Sequence, residues 1–247
     1  MLRLLKQLNY QEPFISEYQN GKIDVYFDEE WQAYKLTVDG KEWMSYDIKG
    51  HTQAFEFYSH YNLAKGHCIC TGMGFGVRES WLLRNPDVTK ITVIEKNPEV
   101  IEYHEYNKSP FLKHVEVIND DASTYKGSCD TLLLDHYESS DPHEVLADAS
   151  RIVQNIEHDT LWIWPLEAII TSARRRRLDR SNVKVFNDET FISRMEVYEN
   201  LKQIYELDTL PNLSEGDLDL FCFMYHSKLY SDYKRLFLIN HPILYRI

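Results

Sequence analysis

A β-prone run over residues 67–71 leads directly into Gly72, Gly74 and Gly76, set at alternate positions, and then into a helix-compatible run over 77–84. This is a strand, a glycine turn and a helix in immediate succession. Glycine reaches positive φ at no steric cost, so the chain can turn sharply there. It also lets a flat ligand approach the backbone with no Cβ in the way. The spacing is GxGxG. A dinucleotide fingerprint, GxGxxG, would need glycine at Val77, so a nicotinamide or flavin site is disfavoured. The plainer alternative is a tight turn with no ligand.

The flanking pattern sets the fold class. Short apolar runs at 90–95, 114–118, 130–135 and 160–164 read as strands. Helical runs at 77–84, 98–107 and 141–156 separate them. Strand and helix alternating at this spacing predicts βαβ units, a parallel sheet and helices on both its faces. The expectation is an α/β fold, a Rossmann-like doubly wound and mostly parallel sheet. Ahead of it, alternating runs at 23–27, 33–38 and 42–46 predict strands, with Asp39-Gly40 as a hairpin turn. A weak helix at the N-terminus and a helix over 52–63 complete that part. Beyond 165, helices to about 177 and over 189–205 are expected. Strands at 218–226 and 235–239 would close the sheet with an antiparallel edge. The domain expectation is residues 1–62 as a β-hairpin and helix unit. Residues 63–247 would form the Rossmann-like domain with a C-terminal helical and antiparallel-strand extension.

Candidate ligand groups fall at the predicted carboxyl ends of the strands, where open α/β sheets bind ligands. Glu95 ends the second strand, 19 residues after Gly76. An acid there can accept both ribose hydroxyls of a nucleoside. Asp120, Asp121 and Ala122 follow the third strand; a carboxylate there can accept an adenine amine, and an Asx turn is the alternative. Asp135, His136, Tyr137 and Glu138 follow the fourth. Lys+Arg number 27 against 39 Asp+Glu, a formal charge of −12. Such a surface argues against bulk nucleic-acid binding and favours neutral or cationic small partners. Absence of a long apolar run argues against a membrane span, and residues 1–7 turn polar too soon for a signal-peptide core. A cytoplasmic protein is expected. Cys68, Cys70, Cys129 and Cys222 are too sparse for a disulfide framework, and the Cys68–Cys70 spacing is too close for a usual zinc pair. Reduced, buried thiols and no metal centre are expected. Trp162-Ile163-Trp164-Pro165 reads as core packing. Arg174–Arg177 cannot form one helix face and read as a solvated helix end.

The residues around the glycine loop resemble a known family. The loop with Val77-Arg78-Glu79, then Asn85-Pro86-Asp87-Val88, then Val93-Ile94-Glu95-Lys96-Asn97-Pro98 and Val100-Ile101 is similar to a class I S-adenosylmethionine-dependent methyltransferase core. It resembles the spermidine synthase-like branch in particular, as does Val38-Asp39-Gly40 in the hairpin. The resemblance spans about residues 33–165. It implies a site for S-adenosylmethionine or its decarboxylated form. Gly72, Gly74 and Gly76 would line the aminoacyl and ribose portion, Glu95 would hold the ribose, and Asp121 with Ala122 would face the adenine. Asp135 would sit as the catalytic acid near the transferring group. His136, Tyr137 and Glu138 would meet the acceptor. A homodimer through the hairpin unit is a further implication.

The acceptor half departs from that branch. Trp43 stands where the branch has a glutamine after the hairpin, and no proline follows Asp135-His136-Tyr137-Glu138. The expected activity is therefore methyl transfer to a small-molecule or amine acceptor. Aminopropyl transfer is the alternative within the family, and a catalytically silent nucleoside-binding protein is the alternative outside it.

Overall fold

The computed structural model describes residues 14–47, 63–137 and 141–164, together with positions 61, 166, 169, 199, 200 and 203. The chain divides into two compact units. One comprises Gln11–Glu138 with Gln154–Ile163 and holds both sheets described below; the other includes Ser139–Val153.

The N-terminal sheet is antiparallel, in the order β1 (Tyr18–Gln19), β2 (Ile23–Asp28), β3 (Ala33–Val38) and β4 (Lys41–Asp47). Its core face is made by Ile23, Val25, Leu36 and Tyr46, each no more than 2% exposed. The hairpin between β3 and β4 closes on Asp39 and Gly40, whose φ values are 50° and 76°. Both central residues at positive φ make the tight turn that matches strand twist, which is why Asp-Gly is so strong a hairpin signal. Leu36 pairs with Met44 and Thr37 with Glu42, so Trp43 is the extra residue of a bulge. A bulge re-aims the side chains that follow it.

The second sheet is parallel throughout, in the order β7 (Glu116–Asn119), β6 (Val88–Glu95), β5 (Gly66–Thr71), β8 (Gly127–Leu134), β9 (Ile156–Ile163). Helix α1 (Val77–Leu82) joins β5 to β6, and α2 (Pro98–Tyr106) with a 3₁₀ turn at Leu112–His114 joins β6 to β7. The three inner strands are almost wholly apolar at their centres. Cys68–Cys70, Val93–Ile94 and Leu132–Leu134 are at most 1% exposed. Continuous apolar runs rather than alternation are what burial on both faces demands. The chain runs outward from β5 through β6 to β7, then returns to place β8 on the other side of β5. The order reverses between β5 and β8, which is the topological switch point of a doubly wound sheet. This is the Rossmann-like architecture expected.

The N-terminal segment is tied to α2 within the same unit. Asn107 Nδ2 donates to the Phe14 carbonyl at 2.6 Å, and Ser16 Oγ donates to Asn107 Oδ1 at 2.5 Å. Lys22 pairs with Glu99, and the Tyr18 ring lies 5.6 Å from Tyr103. Helix α2 starts with Asn97 accepting the Glu99 N–H at 3.1 Å and with Pro98 in its first turn, where no N–H is needed.

Element boundaries differ from expectation in several places: α1 ends at Leu82 rather than 84, β6 begins at Val88 and β8 at Gly127. The third parallel strand begins at Glu116, because Leu112–His114 wind into a 3₁₀ turn. Helix α3 (Pro142–Val153) stops three residues short of 156, and β9 starts at Ile156, four residues before 160. Ile156 is fully buried and pairs with Gly127, so ladder bonding claims it for the sheet. A two-residue strand, β1, precedes those expected. Most of the helix expected over 52–63 lies outside the described residues. So do the N-terminal helix and the late strands at 218–226 and 235–239. Arg174–Arg177 and Cys222 lie outside them too. Among the described residues no helix is long and apolar enough to cross a membrane.

Candidate functional site

The parallel register brings the carboxyl ends of four strands to one edge. Thr71 pairs with Ile94 on one side and Leu134 on the other, and Glu95 pairs with Asn119. The glycine loop leaves this edge at the switch point. Gly72 N–H still donates to the Ile94 carbonyl at 2.9 Å, so the loop begins in register with the sheet.

Two charged side chains hold the next peptide unit. Glu95 Oε2 accepts the Met73 N–H at 2.8 Å, and its Oε1 accepts the Asn97 N–H at 2.8 Å. The Arg78 guanidinium donates to the Gly72 carbonyl and, at 3.2 Å, to the Thr71 carbonyl. Gly72 O and Met73 N belong to the same peptide, so an acid and a base grip its two ends. Arg78 also donates to Glu79 Oε1 at 3.0 and 2.7 Å and lies 3.5 Å from Asp135 Oδ2. Arg78 and Glu79 are 3% and 0% exposed, and Glu95 is 4% exposed. Glu79 Oε2 has no hydrogen-bond partner among the described residues.

Burial dominates the electrostatics. It raises the affinity of Glu79 for its proton against the pull of Arg78. It does the same to Glu95 against two backbone N–H groups, and to Asp135 against Arg78 and His136. Burial alone would lower the Arg78 value, but the adjoining Glu79 charge overrides it and the guanidinium stays protonated. Two carboxylates, Glu79 and Asp135, therefore flank one guanidinium, and a third, Glu95, holds the other end of the peptide that Arg78 grips; with three acids to one base, the cluster favours an added positive charge.

The missing side chains of the glycines are all accounted for by close neighbours. A Cβ on Gly72 would stand 2.6 Å from the Asp135 carbonyl, and one on Gly76 2.1 Å from Phe111 Cε1. A Cβ on Gly74 would stand 2.5 Å from Met44 Sδ, the far end of a flexible side chain. The residue after the Trp43 bulge thus covers the loop. His104 supports it from α2, with Nε2 2.8 Å from the Gly74 carbonyl.

The remaining candidates divide. Asp121 Oδ1 accepts from Ser123 N and Oγ at 2.9 and 2.7 Å, and Oδ2 pairs with Lys96 at 2.7 Å. That is the Asx turn, and the Lys96 and Ser123 contacts pull its carboxyl well below the usual range. Asp120 is exposed and accepts the Asp121 N–H at 2.8 Å; Ala122 is buried. Asp120 N–H donates to the Glu95 carbonyl at 3.2 Å, which joins this turn to the site edge. Thr71 Oγ1 lies 2.6 Å from His136 Nδ1 and accepts the Asp135 N–H at 3.1 Å. The His136 and Tyr137 rings lie 4.4 Å apart, both half-buried. Glu138 lies outside the described residues. Cys68, Cys70 and Cys129 are free thiols; burial pushes Cys68 up to about 11 and Cys129 up to about 12, which makes them inert. Of the four residues expected in the core, Trp162 and Ile163 are buried, Trp164 is half-buried, and Pro165 lies outside the described residues.

Sequence reasoning missed Met44, the grip of Arg78 and Glu79, and His104. Only for His104 was a signal present: Val100, Tyr103 and His104 share the i, i+3, i+4 spacing of a buried helix face.

No family model matches the chain, and no curated protein matches it. Solved structures do. A spermidine synthase from Thermotoga maritima aligns at 15% identity and TM-score 0.40, over 58% of this chain and 53% of that one. A spermidine synthase in complex with the transition-state analogue AdoDATO aligns at 16% and 0.39, over 58% and 54%. Mitomycin 7-O-methyltransferase aligns at 19% and 0.35, over 45% and 35%. The chain thus spans about half the length of the two synthases and about a third of the methyltransferase. These are likenesses of fold alone. With an all-parallel sheet, β5 at its centre and the order reversing between β5 and β8, the fold of this chain is Rossmann-like and doubly wound.

Proposed function

We propose that the chain binds S-adenosylmethionine at the glycine loop and transfers its methyl group to a small-molecule or amine acceptor. The observation that carries this is the pairing of Glu79 and Asp135 with a single Arg78 at the switch point, with Glu95 on the other end of the Gly72–Met73 peptide that Arg78 holds. A buried site with surplus negative charge suits a cationic nucleoside.

The residues present fit such a group. Each oxygen of Glu95 accepts one N–H, and a carboxylate oxygen has two lone pairs, so two acceptor positions remain for ribose hydroxyls. Gly74 faces only the movable end of Met44. Gly72 and Glu95 would hold the ribose and aminoacyl portion, and Ala122, with Asp120 beside it, would border the base. When bound, the sulfonium supplies an electrophilic methyl group. The chain's own part is placement, worth several orders of magnitude in rate, and proton removal from the acceptor. Asp135 is suited to the second task because burial raises its proton affinity while Arg78 keeps it oriented.

A second reading has an observation of its own. Met44, Phe111 and the Asp135–His136 backbone fill the space beside the glycines, and this favours a silent protein whose loop is only packed. Calorimetry separates the readings. S-adenosylmethionine is expected to bind the wild-type chain, and Glu95→Ala to abolish detectable binding. Stronger binding of the decarboxylated cofactor would instead point to aminopropyl transfer. No binding of either would leave the silent reading.

A further inference from the structure

We infer that His104 is a positioning residue: from α2 it holds the Gly74 carbonyl and so sets the plane of the Gly74–Phe75 peptide in the ligand loop. This rests on the reading that the loop binds a ligand.

The geometry fixes the state of the ring. His104 is 1% exposed, with Nε2 2.8 Å from the Gly74 carbonyl and Nδ1 2.8 Å from Ser109 Oγ. A carbonyl can only accept, so Nε2 carries the hydrogen. Burial lowers the His104 pKa to about 4, so near neutral pH Nδ1 is bare and accepts from the Ser109 hydroxyl. Ser109 N–H in turn donates to the His104 carbonyl at 3.0 Å, which locks the ring and the turn after α2 together. The same turn carries Phe111, whose ring lies 5.0 Å from His104 and covers Gly76.

Holding a carbonyl aims the N–H at the other end of its peptide. The bond between them is planar and trans, so the Phe75 N–H points opposite to the Gly74 C=O, away from α2. Arg78 and Glu95 hold the Gly72–Met73 peptide at both ends. The Gly74–Phe75 peptide is held by His104. A flexible loop with both peptides set beforehand loses less conformational entropy when a ligand arrives.

The test compares His104→Gln with His104→Asn in the full chain. The glutamine amide nitrogen reaches the position of Nε2 and keeps the donor to Gly74; asparagine falls short of it. Amide hydrogen exchange over Gly72–Gly76 is read without ligand, and S-adenosylmethionine affinity by calorimetry. His104→Asn is expected to speed loop exchange and weaken affinity by about tenfold each, the worth of one hydrogen bond. His104→Gln should stay close to wild type in both, although both variants melt earlier. Equal loop exchange in the two variants would overturn the proposal. If the wild type binds no S-adenosylmethionine, the proposed function fails and loop exchange alone decides the positioning role. Should His104→Asn not fold, ¹⁵N spectra of the wild-type ring decide: an Nε2–H tautomer supports the role, and an Nδ1–H tautomer refutes it.

Discussion

Gly76 shows how one residue serves two masters. It caps the N-terminus of α1 at φ 70°, and the Phe111 ring occupies the space a side chain would need. Gly76→Ala is therefore expected to cost about 1–3 kcal/mol, the range for forcing extra volume into a packed site. Urea unfolding would measure it. If the ring is the cause, Phe111→Leu should recover part of the loss in a double-mutant cycle; full additivity would assign the whole cost to backbone strain. Asp121 presents the opposite case. Its carboxylate is taken up by Ser123 and Lys96, so its loss should disturb the turn after β7 more than any ligand contact.

At the scale of elements, caps and turns decide where helices and strands begin. Asn97 accepts the Glu99 N–H and lies two residues after Glu95, whose Oε1 accepts its own N–H. Asn97→Ala removes the cap and should destabilise the chain by about 1 kcal/mol. Denaturant midpoints would show it, with S-adenosylmethionine affinity little changed, because the Asn97 backbone N–H that holds Glu95 remains. The bulge at Trp43 acts at the same scale. Removing Trp43 would leave Glu42 opposite Thr37 and Met44 opposite Leu36 in a regular ladder, and would take away the local kink that the bulge puts just before Met44. Loss or gain of S-adenosylmethionine affinity in that deletion would show that β4 forms a wall of the site; unchanged affinity would show that it does not.

For the whole molecule, pH separates the buried groups. Glu79, Glu95 and Asp135 have raised values in the folded chain, so they favour folding below their unfolded values. That advantage is lost as pH rises through the folded ones. His104 runs the other way: lowered from 6.5 to about 4, it leaves stability intact above 6.5 and removes it as pH falls toward 4. At about 1.4 kcal/mol per pH unit, the loss is on the order of 3 kcal/mol. Urea unfolding at pH 7 and at pH 4.5 should show His104→Gln losing less stability than wild type on acidification. Equal losses would mean that the ring is not held neutral by burial.

Local chemistry made much of this fold legible in advance. Alternation and the Asp39-Gly40 turn announce the hairpin. Unbroken apolar runs announce strands buried on both faces, and three closely spaced glycines after the first of these announce a loop at the strand's carboxyl end. These signals survive because period, φ preference and hydrophobicity belong to residues a few positions apart. The start of β9 was hidden, since Ile156 joins the sheet through a partner at Gly127. So was the anatomy of the site. Arg78 and Glu79 carry part of the family resemblance in the sequence, but their grip on the loop and their burial beside Asp135, 56 residues from Glu79, arise only in the fold. Met44 meets Gly74 across 30 positions, and His104 meets it across another 30. Burial and long-range hydrogen bonds set which charges survive and which peptides are held, and both exist only once the chain has folded.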